Sequence, residues 1–270
     1  MRIERIVLFG QAFSEGGAEA AAELAARFEA KLAYLFLEDL NLLRLAGLPF
    51  ASEIGIDTAC WRDLELPDLQ RSLRTLASQA EEALSSLAQR LRIPWSFQVL
   101  RGIPSQALSD AACSTDLVLL LRSQPRVGIP TSTESLAREI VSRSGAAVLF
   151  LSDGAPVQPP FGVVFSGAPS GLPTLHLVAA LASDFAGKLV VLSLGSGEEA
   201  CLDPEFQQVV REAPSTALLT GIAPKARRIL AAAAHEGLGL LALSIGESAL
   251  PPEEIESICA GALCPILLLP

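Results

Sequence analysis

Four polar residues between positions 122 and 135 are the first candidates for binding chemistry in this sequence. Arg122, Ser123 and Arg126 follow an apolar run, and Ser135 begins a segment with helical spacing. Guanidinium groups hold phosphates or carboxylates through charge-assisted hydrogen bonds, and hydroxyl groups add further donors. A loop that leads from a strand to a helix is a common phosphate site, because the N–H groups of the helix point at the anion. The pattern therefore indicates an anion or nucleotide pocket.

The same loop lacks the glycines that usually let a phosphate approach the backbone. Leu121, Gln124 and Glu134 stand where such glycines are expected. A carboxylate at Glu134 would repel a phosphate by on the order of a few kcal/mol in a partly desolvated site. We therefore predict that the loop lacks the backbone chemistry of an ordinary nucleotide site. On this interpretation Ser135 is the N-cap of the following helix, with a phosphate contact as the alternative.

A second loop with possible anion chemistry joins a strand to a helix at 166–171, with the sequence SGAPSG. Its backbone could form a concave cluster of N–H groups, although a plain strand-to-helix turn is the favoured interpretation. The complete candidate pocket is small and has a part in each half of the chain. Its residues are Gly10, Gln11, Arg122, Ser123, Arg126, Ser135, Ser166 and Gly167.

Catalytic and metal-binding patterns are not recognisable in the sequence. His176 and His235 have no neighbours spaced for a catalytic triad or a metal site. Cys259 and Cys264 are not spaced as metal ligands either, and we expect them to be small buried hydrophobic residues. We therefore predict no catalytic residue, no metal and no resident cofactor, so the protein is not expected to be an enzyme.

The elements that must position these residues alternate between apolar runs and helix-period segments, which is typical of parallel βαβ units. A long helix before residue 92 has an apolar stripe at Leu69, Leu73, Leu76, Ala80, Leu84, Leu87 and Leu91. Strands are predicted in the first half at 5–10, 32–38, 95–100, 117–122 and 147–152, and in the second half at 162–166, 186–194 and 264–269.

The alternation occurs twice, which indicates two copies of one domain. The strand at 162–166 is similar to 6–10, and the segment 219–245 is similar to 100–123. We predict a first module at 1–153, a Pro- and Gly-rich linker at 154–160, and a shortened second module at 161–270. The stretch 39–68 reads as an irregular lid or a partner-facing segment.

Composition excludes several classes of partner. The formal charge is −10 and the pI is about 4.8, so binding to nucleic acid or to anionic membranes is not expected. No apolar run is long enough for a membrane span. The five cysteines and the absence of a secretory signal predict a cytoplasmic protein with thiols that are mostly buried.

With this organisation the chain resembles a tandem universal stress protein, of the adenine-nucleotide α-hydrolase-like group. ATP-binding members carry G-x-x-G-x9-G-[ST] after the fourth strand, and an Asp at the end of the first strand. The first half keeps that spacing from Leu121 through Gln124 and Glu134 to Ser135, and only Ser135 agrees in identity. No Asp follows either first strand, which ends at Gly10 or at Ser166.

The resemblance implies an α/β fold made of two tandem, doubly wound, five-stranded parallel-sheet modules of the Rossmann-like type. Members of the family dimerise through their last strands, so 148–151 and 266–269 are expected to meet across an internal pseudo-twofold axis. The implied function is regulatory, in a stress response, through a protein partner or a homo-oligomer. The alternative is a sensor that holds an adenine nucleotide such as ATP or AMP, or another anion, in one half.

Overall fold

The computed structural model describes residues 3–11, 13–54, 60–121, 133–151, 156–167, 171–195, 203–246 and 250–270. The first half contains β1 (Arg5–Gly10), α1 (Glu15–Arg27), β2 (Lys31–Asp39), α2 (Leu40–Ala46), β3 (Ser52–Ile54), β4 (Trp61–Asp63), α3 (Leu66–Leu91), β5 (Trp95–Gly102), α4 (Pro104–Ala111), β6 (Asp116–Leu121), α5 (Thr133–Ser144) and β7 (Ala147–Leu151). The second half contains β8 (Phe161–Phe165), α6 (Gly171–Asp184), β9 (Lys188–Leu194), α7 (Pro204–Glu212), β10 (Ser215–Ile222), α8 (Ala226–His235), β11 (Leu240–Ser244), α9 (Pro252–Gly261) and β12 (Ile266–Leu269).

One ten-stranded sheet runs through both halves, in the order β10-β9-β8-β11-β12-β7-β6-β1-β2-β5. Within each half the five strands are parallel and follow the same order, which confirms the predicted doubly wound modules. The two halves meet where β7 pairs antiparallel with β12, with Leu149 opposite Leu267. The order of strands reads the same from either edge, so the predicted pseudo-twofold arrangement of the last strands is confirmed.

The central strands are apolar along their whole length because helices cover both faces of the sheet. The residues of β6, β7, β11 and β12 are all buried. On one face the strands pack against α1, α3, α6 and α7, and on the other against α4, α5, α8 and α9. Helices that occupy corresponding positions in the two halves therefore lie on the same face of the sheet.

Side chains also join the halves on each face of the sheet. Arg138 of α5 forms an ion pair with Glu256 of α9, with 2.9 Å between Nη1 and Oε1. On the opposite face the guanidinium of Arg27 lies 3.8 Å from the centre of the Phe185 ring. These contacts flank the β7–β12 pair. The boundaries 1–153, 154–160 and 161–270 remain predictions, and residues 154 and 155 lie outside the described part.

Two expectations about the helices and loops were wrong in detail. On α3 the side chains of Leu76 and Leu91 are 39% exposed, and Ala77 and Ala88 face the core instead. The predicted stripe followed the larger apolar residues, whereas the helix is oriented so that these smaller ones face the sheet. The described residues of the stretch 39–68 are not irregular, because they contain α2 and the antiparallel pair of β3 with β4.

None of the described helices has both the length and the apolarity that crossing a membrane demands.

Candidate functional site

The candidate site of the first half lies at the carboxyl ends of β1 and β6. These strands are neighbours, and the chain leaves β1 for one face of the sheet and β6 for the other. Such a switch point opens a crevice outside the strand ends, where proteins of this fold type bind ligands. Gly10 ends β1 and Leu121 ends β6, so the crevice is bordered by these two residues and by the start of α1.

The side chain of Leu121 closes the base of this crevice. It is 4% exposed and belongs to the core on the α1 side of the sheet. A Cβ atom added to Gly17 in the first turn of α1 would lie 2.5 Å from Cδ1 of Leu121. The leucine therefore fits only because Gly17 has no side chain. At the first of the three positions where the sequence analysis expected glycine, a leucine side chain fills the space beside the helix start.

The amino end of α1 is capped from within the chain. The N–H of Gly17 donates to Oγ of Ser14 at 3.1 Å, and the N–H of Ala18 donates to the Ser14 carbonyl at 2.9 Å. Glu15 adds a carboxylate in the first turn, where it interacts favourably with the helix dipole. The Ala18 contact is the first regular bond of the helix, so one of the free first-turn donors that an anion would require, the N–H of Gly17, is already occupied.

The predicted pocket residues of the first half fall in different environments. Gly10 is buried and Gln11 is partly buried, at the crevice. Arg122, Ser123 and Arg126 lie outside the described residues. Ser135 is partly buried and is the third residue of α5, because the helix begins at Thr133. Ser135 is therefore not the N-cap, and that expectation was wrong because the preceding threonine and glutamate also adopt helical geometry.

The equivalent crevice of the second half is filled by an aromatic side chain. Phe165 ends β8 and is 2% exposed. A Cβ atom added to Gly171, the first residue of α6, would lie 3.1 Å from Cδ2 and Cε2 of the Phe165 ring. The ring also packs on Phe206 of α7, with ring centres 4.9 Å apart. The sequence argument missed Phe165, Phe206 and Gly17, and of these contacts only that of Phe165 with Gly171 joins residues close enough in sequence to be a readable signal.

The loop after β8 retains one feature expected of an anion-binding turn. Gly167 has a φ of 79°, in the region that favours glycine, and Ser166 before it is partly buried. Residues 168–170 lie outside the described chain, so the proposed cluster of N–H groups stays a prediction. On the neighbouring strand the hydroxyl of Ser244 donates to the carbonyl of Pro270 at 3.1 Å.

Two buried hydroxyl groups lie near the second crevice. Thr174, in the first turn of α6, and Ser193, opposite Phe165 in the sheet, are each 1% exposed. Neither Oγ1 of Thr174 nor Oγ of Ser193 has a hydrogen-bond partner among the described atoms. A buried hydroxyl without a partner carries a desolvation cost of about 1–3 kcal/mol. The sequence argument did not single them out, because each lies within an apolar run.

Charged groups elsewhere form ion pairs between elements. The N–H of Ala226 donates to Glu254 at 2.7 Å, and Nζ of Lys225 lies 2.9 Å from its other oxygen. These contacts, the N–H first, lower the pKa of Glu254 below its usual range. His176 contacts Glu205 at 3.0 Å on the surface. Across the described residues, no three His, Cys, Asp or Glu side chains are grouped to hold a metal ion.

The expectation about the cysteines was partly wrong. Cys259 is buried, but Cys60 and Cys113 are exposed and Cys264 is partly exposed. Cys60 precedes β4 on the hairpin, and Cys113 follows α4 at the amino-terminal edge of β6, so neither belongs to the core. Apolar character alone did not reveal that both positions lie in connections on the surface. No disulfide links these four described cysteines.

Comparison with solved structures identifies the fold. No protein-family model matches the chain, and no curated protein matches it. A universal stress protein from Archaeoglobus fulgidus DSM 4304 superposes with a TM-score of 0.70 at 11% identity, over 100% of this chain and 99% of that one. A functionally unknown protein from Pseudomonas aeruginosa PAO1 has a TM-score of 0.56 at 12% identity, over 99% and 92%. The resemblance predicted from the sequence is thus confirmed for the fold.

Proposed function

We propose that this protein is a regulatory protein of the universal stress fold, which acts by binding another protein and does not bind ATP in the usual way. The observation that carries the proposal is the packing of Leu121 against Gly17 at the switch point of the first half. A nucleotide phosphate at this position would have to displace a side chain that is 4% exposed.

Closure of both crevices supports the same proposal. In the second half, Phe165 occupies the space beside the start of α6 and is held there by Phe206. Opening either crevice would expose a large apolar side chain to water, at about 1.5–3 kcal/mol for each. The favourable free energy of nucleotide binding would have to exceed that cost for any net affinity to result. A non-catalytic role also agrees with the charged groups described above, most of which pair between secondary-structure elements.

The proposal is tested by asking whether the purified full-length chain carries a nucleotide. The protein is denatured, its absorbance ratio at 260 and 280 nm is recorded, and the supernatant is separated by ion-exchange chromatography. We expect a protein-like ratio and no adenine nucleotide peak. A universal stress protein that binds ATP, purified in parallel, is the positive control. Stoichiometric ATP, ADP or AMP in the supernatant would overturn the proposal.

A second candidate function is the sensing of a small anion or nucleotide in one half. It is favoured by the positive φ of Gly167 and by the buried hydroxyls of Thr174 and Ser193 beside the second crevice. A ligand that accepted hydrogen bonds from these hydroxyls would remove their desolvation cost. This function predicts a thermal shift with millimolar AMP or phosphate that Thr174→Val abolishes. An unchanged melting temperature with both ligands would reject it.

A further inference from the structure

The connection between β2 and α3 exposes the largest set of apolar side chains on the described part of the chain. Five of them lie between α2 and β4 and form what we call the hairpin surface. Its members are Leu45, Leu48, Phe50, Ile54 and Trp61, which are 46%, 42%, 78%, 52% and 72% exposed. Large aromatic side chains bury about 150–250 Å² each when covered. Contiguous apolar areas of this kind on soluble proteins usually mark interaction sites.

The geometry of the hairpin places two of these side chains together, and the preceding turns bring the others to its base. Ile54 of β3 lies directly opposite Trp61 of β4, so both point to the same face of this two-stranded sheet. The N–H of Leu48 donates to the carbonyl of Leu45, and the N–H of Ala51 donates to the carbonyl of Leu48. This run of turns brings the end of α2 to the base of the hairpin. The side chain of Ala51 is buried, so the hairpin is anchored at its base.

Among its described residues, the second half has no counterpart to this surface, and its equivalent connection is shorter. There the chain passes from Leu194 at the end of β9 to Pro204 at the start of α7, whereas the first half goes from Asp39 to Leu66. The hairpin surface is therefore an addition to one module and is not needed to complete the shared fold. A two-stranded sheet of this size contributes little stability alone, which makes a packing role a poor explanation for its exposed aromatic residues.

The surroundings of the hairpin surface are acidic. The described residues 40–54 and 60–68 hold four carboxylates and two arginines, within a chain of net charge −10, and one of the four, Asp68, pairs with Arg71. Arg62 pairs with Glu53 across the hairpin, so that arginine is neutralised. Asp63 and Glu65 are exposed and have no ion-pair partner within the described chain. An acidic rim around an apolar centre is complementary to a partner that combines apolar residues with lysine or arginine.

We propose that the hairpin surface docks a basic amphipathic helix of a partner protein. This inference rests on the proposed function, since it names the surface through which the regulatory protein acts. A helix suits the surface better than an added strand, because β3 and β4 are three residues long and offer few edge hydrogen bonds. Phe50 and Trp61 would insert between the apolar side chains of the helix, and Asp63 and Glu65 would meet its flanking lysines.

The test uses a fluorescein-labelled synthetic amphipathic helix built from leucine and lysine, titrated with the full-length protein and followed by anisotropy. We expect saturable binding that weakens as salt rises. The variants Trp61→Ser and Phe50→Ser should each weaken binding at least tenfold, as aromatic anchors do. They leave the net charge unchanged, so nonspecific attraction to an acidic chain cannot account for the loss. Asp63→Asn with Glu65→Gln should reduce the dependence on salt.

The matched control is Leu263→Ser in the second half, which removes a side chain that is 95% exposed. It should bind the peptide as the wild type does. Equal affinity of wild type and Trp61→Ser for the peptide would overturn the proposal. So would the absence of binding at about 100 µM protein, a concentration at which even weak interfaces form. A wild-type dimer that becomes monomeric with Trp61→Ser would overturn it too, since a second copy would then cover the surface. These outcomes are independent of the nucleotide test.

Discussion

In the first half of the sheet the crevice is closed by Leu121 of β6 against Gly17 of α1, whereas in the second half Phe165 of β8 packs on Gly171 of α6. The two halves share strand order, helix placement and face. They differ in which strand supplies the closing residue. In each case the glycine lies on the helix and makes room for a side chain from the sheet.

This difference shows that the two halves fill their crevices with side chains from non-equivalent strands. A side chain from the fourth strand fills one crevice and a side chain from the first strand fills the other. The neighbours differ accordingly, because the Phe165 ring packs at a tilted angle on Phe206, whereas Leu121 occupies the space beside Gly17. Two separate routes to a filled crevice indicate that closure itself, and not a particular residue, is the common property.

The largest expected effect comes from separating the halves. A chain ending at residue 153 exposes the edge of β7, whose residues Val148 to Phe150 pair with β12 in the whole protein. An uncovered apolar edge pairs with another strand, so the fragment should form a dimer or aggregate. Light scattering after size exclusion measures this directly. A monodisperse monomer would show that β7 does not need a partner strand.

The next effect compares the two closing residues by truncation. Phe165→Ala should cost about 3–5 kcal/mol of unfolding free energy and Leu121→Ala about 2–5 kcal/mol, because each leaves a cavity. Denaturant unfolding of both variants gives these values. Leu119→Ala, on the same strand and face as Leu121 and fully buried, is the control for an ordinary core position. A cost below about 1 kcal/mol for Leu121→Ala would contradict its role as the filling residue.

A smaller effect isolates the contact between Leu121 and Gly17. In the wild type, Gly17→Ala should destabilise by about 1–3 kcal/mol, because the new methyl group collides with Leu121. In a Leu121→Ala background the same change should stabilise slightly, since alanine favours helix over glycine by up to about 1 kcal/mol. The double-mutant cycle should give a coupling of about 0.5–3 kcal/mol. Additive effects would mean that the two side chains do not compete for one space.

The smallest effect concerns a contact at the start of α8. The N-cap side chain makes no capping hydrogen bond in either α8 or its first-half equivalent α4, but Glu254 of α9 accepts the N–H of Ala226 at the start of α8. Since the folded pKa of Glu254 is lowered, its stabilisation is present above the ordinary glutamate pKa and is lost as pH falls through the lower value. Glu254→Gln should therefore differ from wild type near neutral pH and converge with it in acid, measured by thermal unfolding across pH. A difference that persisted in acid would contradict this.

The strands and their repeat were predictable because buried parallel strands appear as continuous apolar runs, and the runs occur twice. The joining of β7 to β12 was implied by the resemblance to universal stress proteins and not by the runs themselves. The apolar stripe of α3 was less predictable. Ala77 is buried and its neighbour Leu76 is exposed, and the sequence alone does not reveal which of two adjacent apolar residues faces the sheet. The loss of glycine at position 121 was readable. What that leucine contacts was not, because Gly17 is distant in sequence and meets it only after folding.

The central claim, that both crevices are closed to nucleotides, is tested most directly by isothermal titration of the full-length protein with ATP, ADP and AMP at millimolar concentration. We predict no heat beyond dilution and no rise in melting temperature, because a ligand that does not bind the native state cannot stabilise it. Saturable heat that fits one or two sites per chain would contradict the claim. If that heat persisted in Thr174→Val and in surface variants, Leu121 or Phe165 would have to move aside for the ligand.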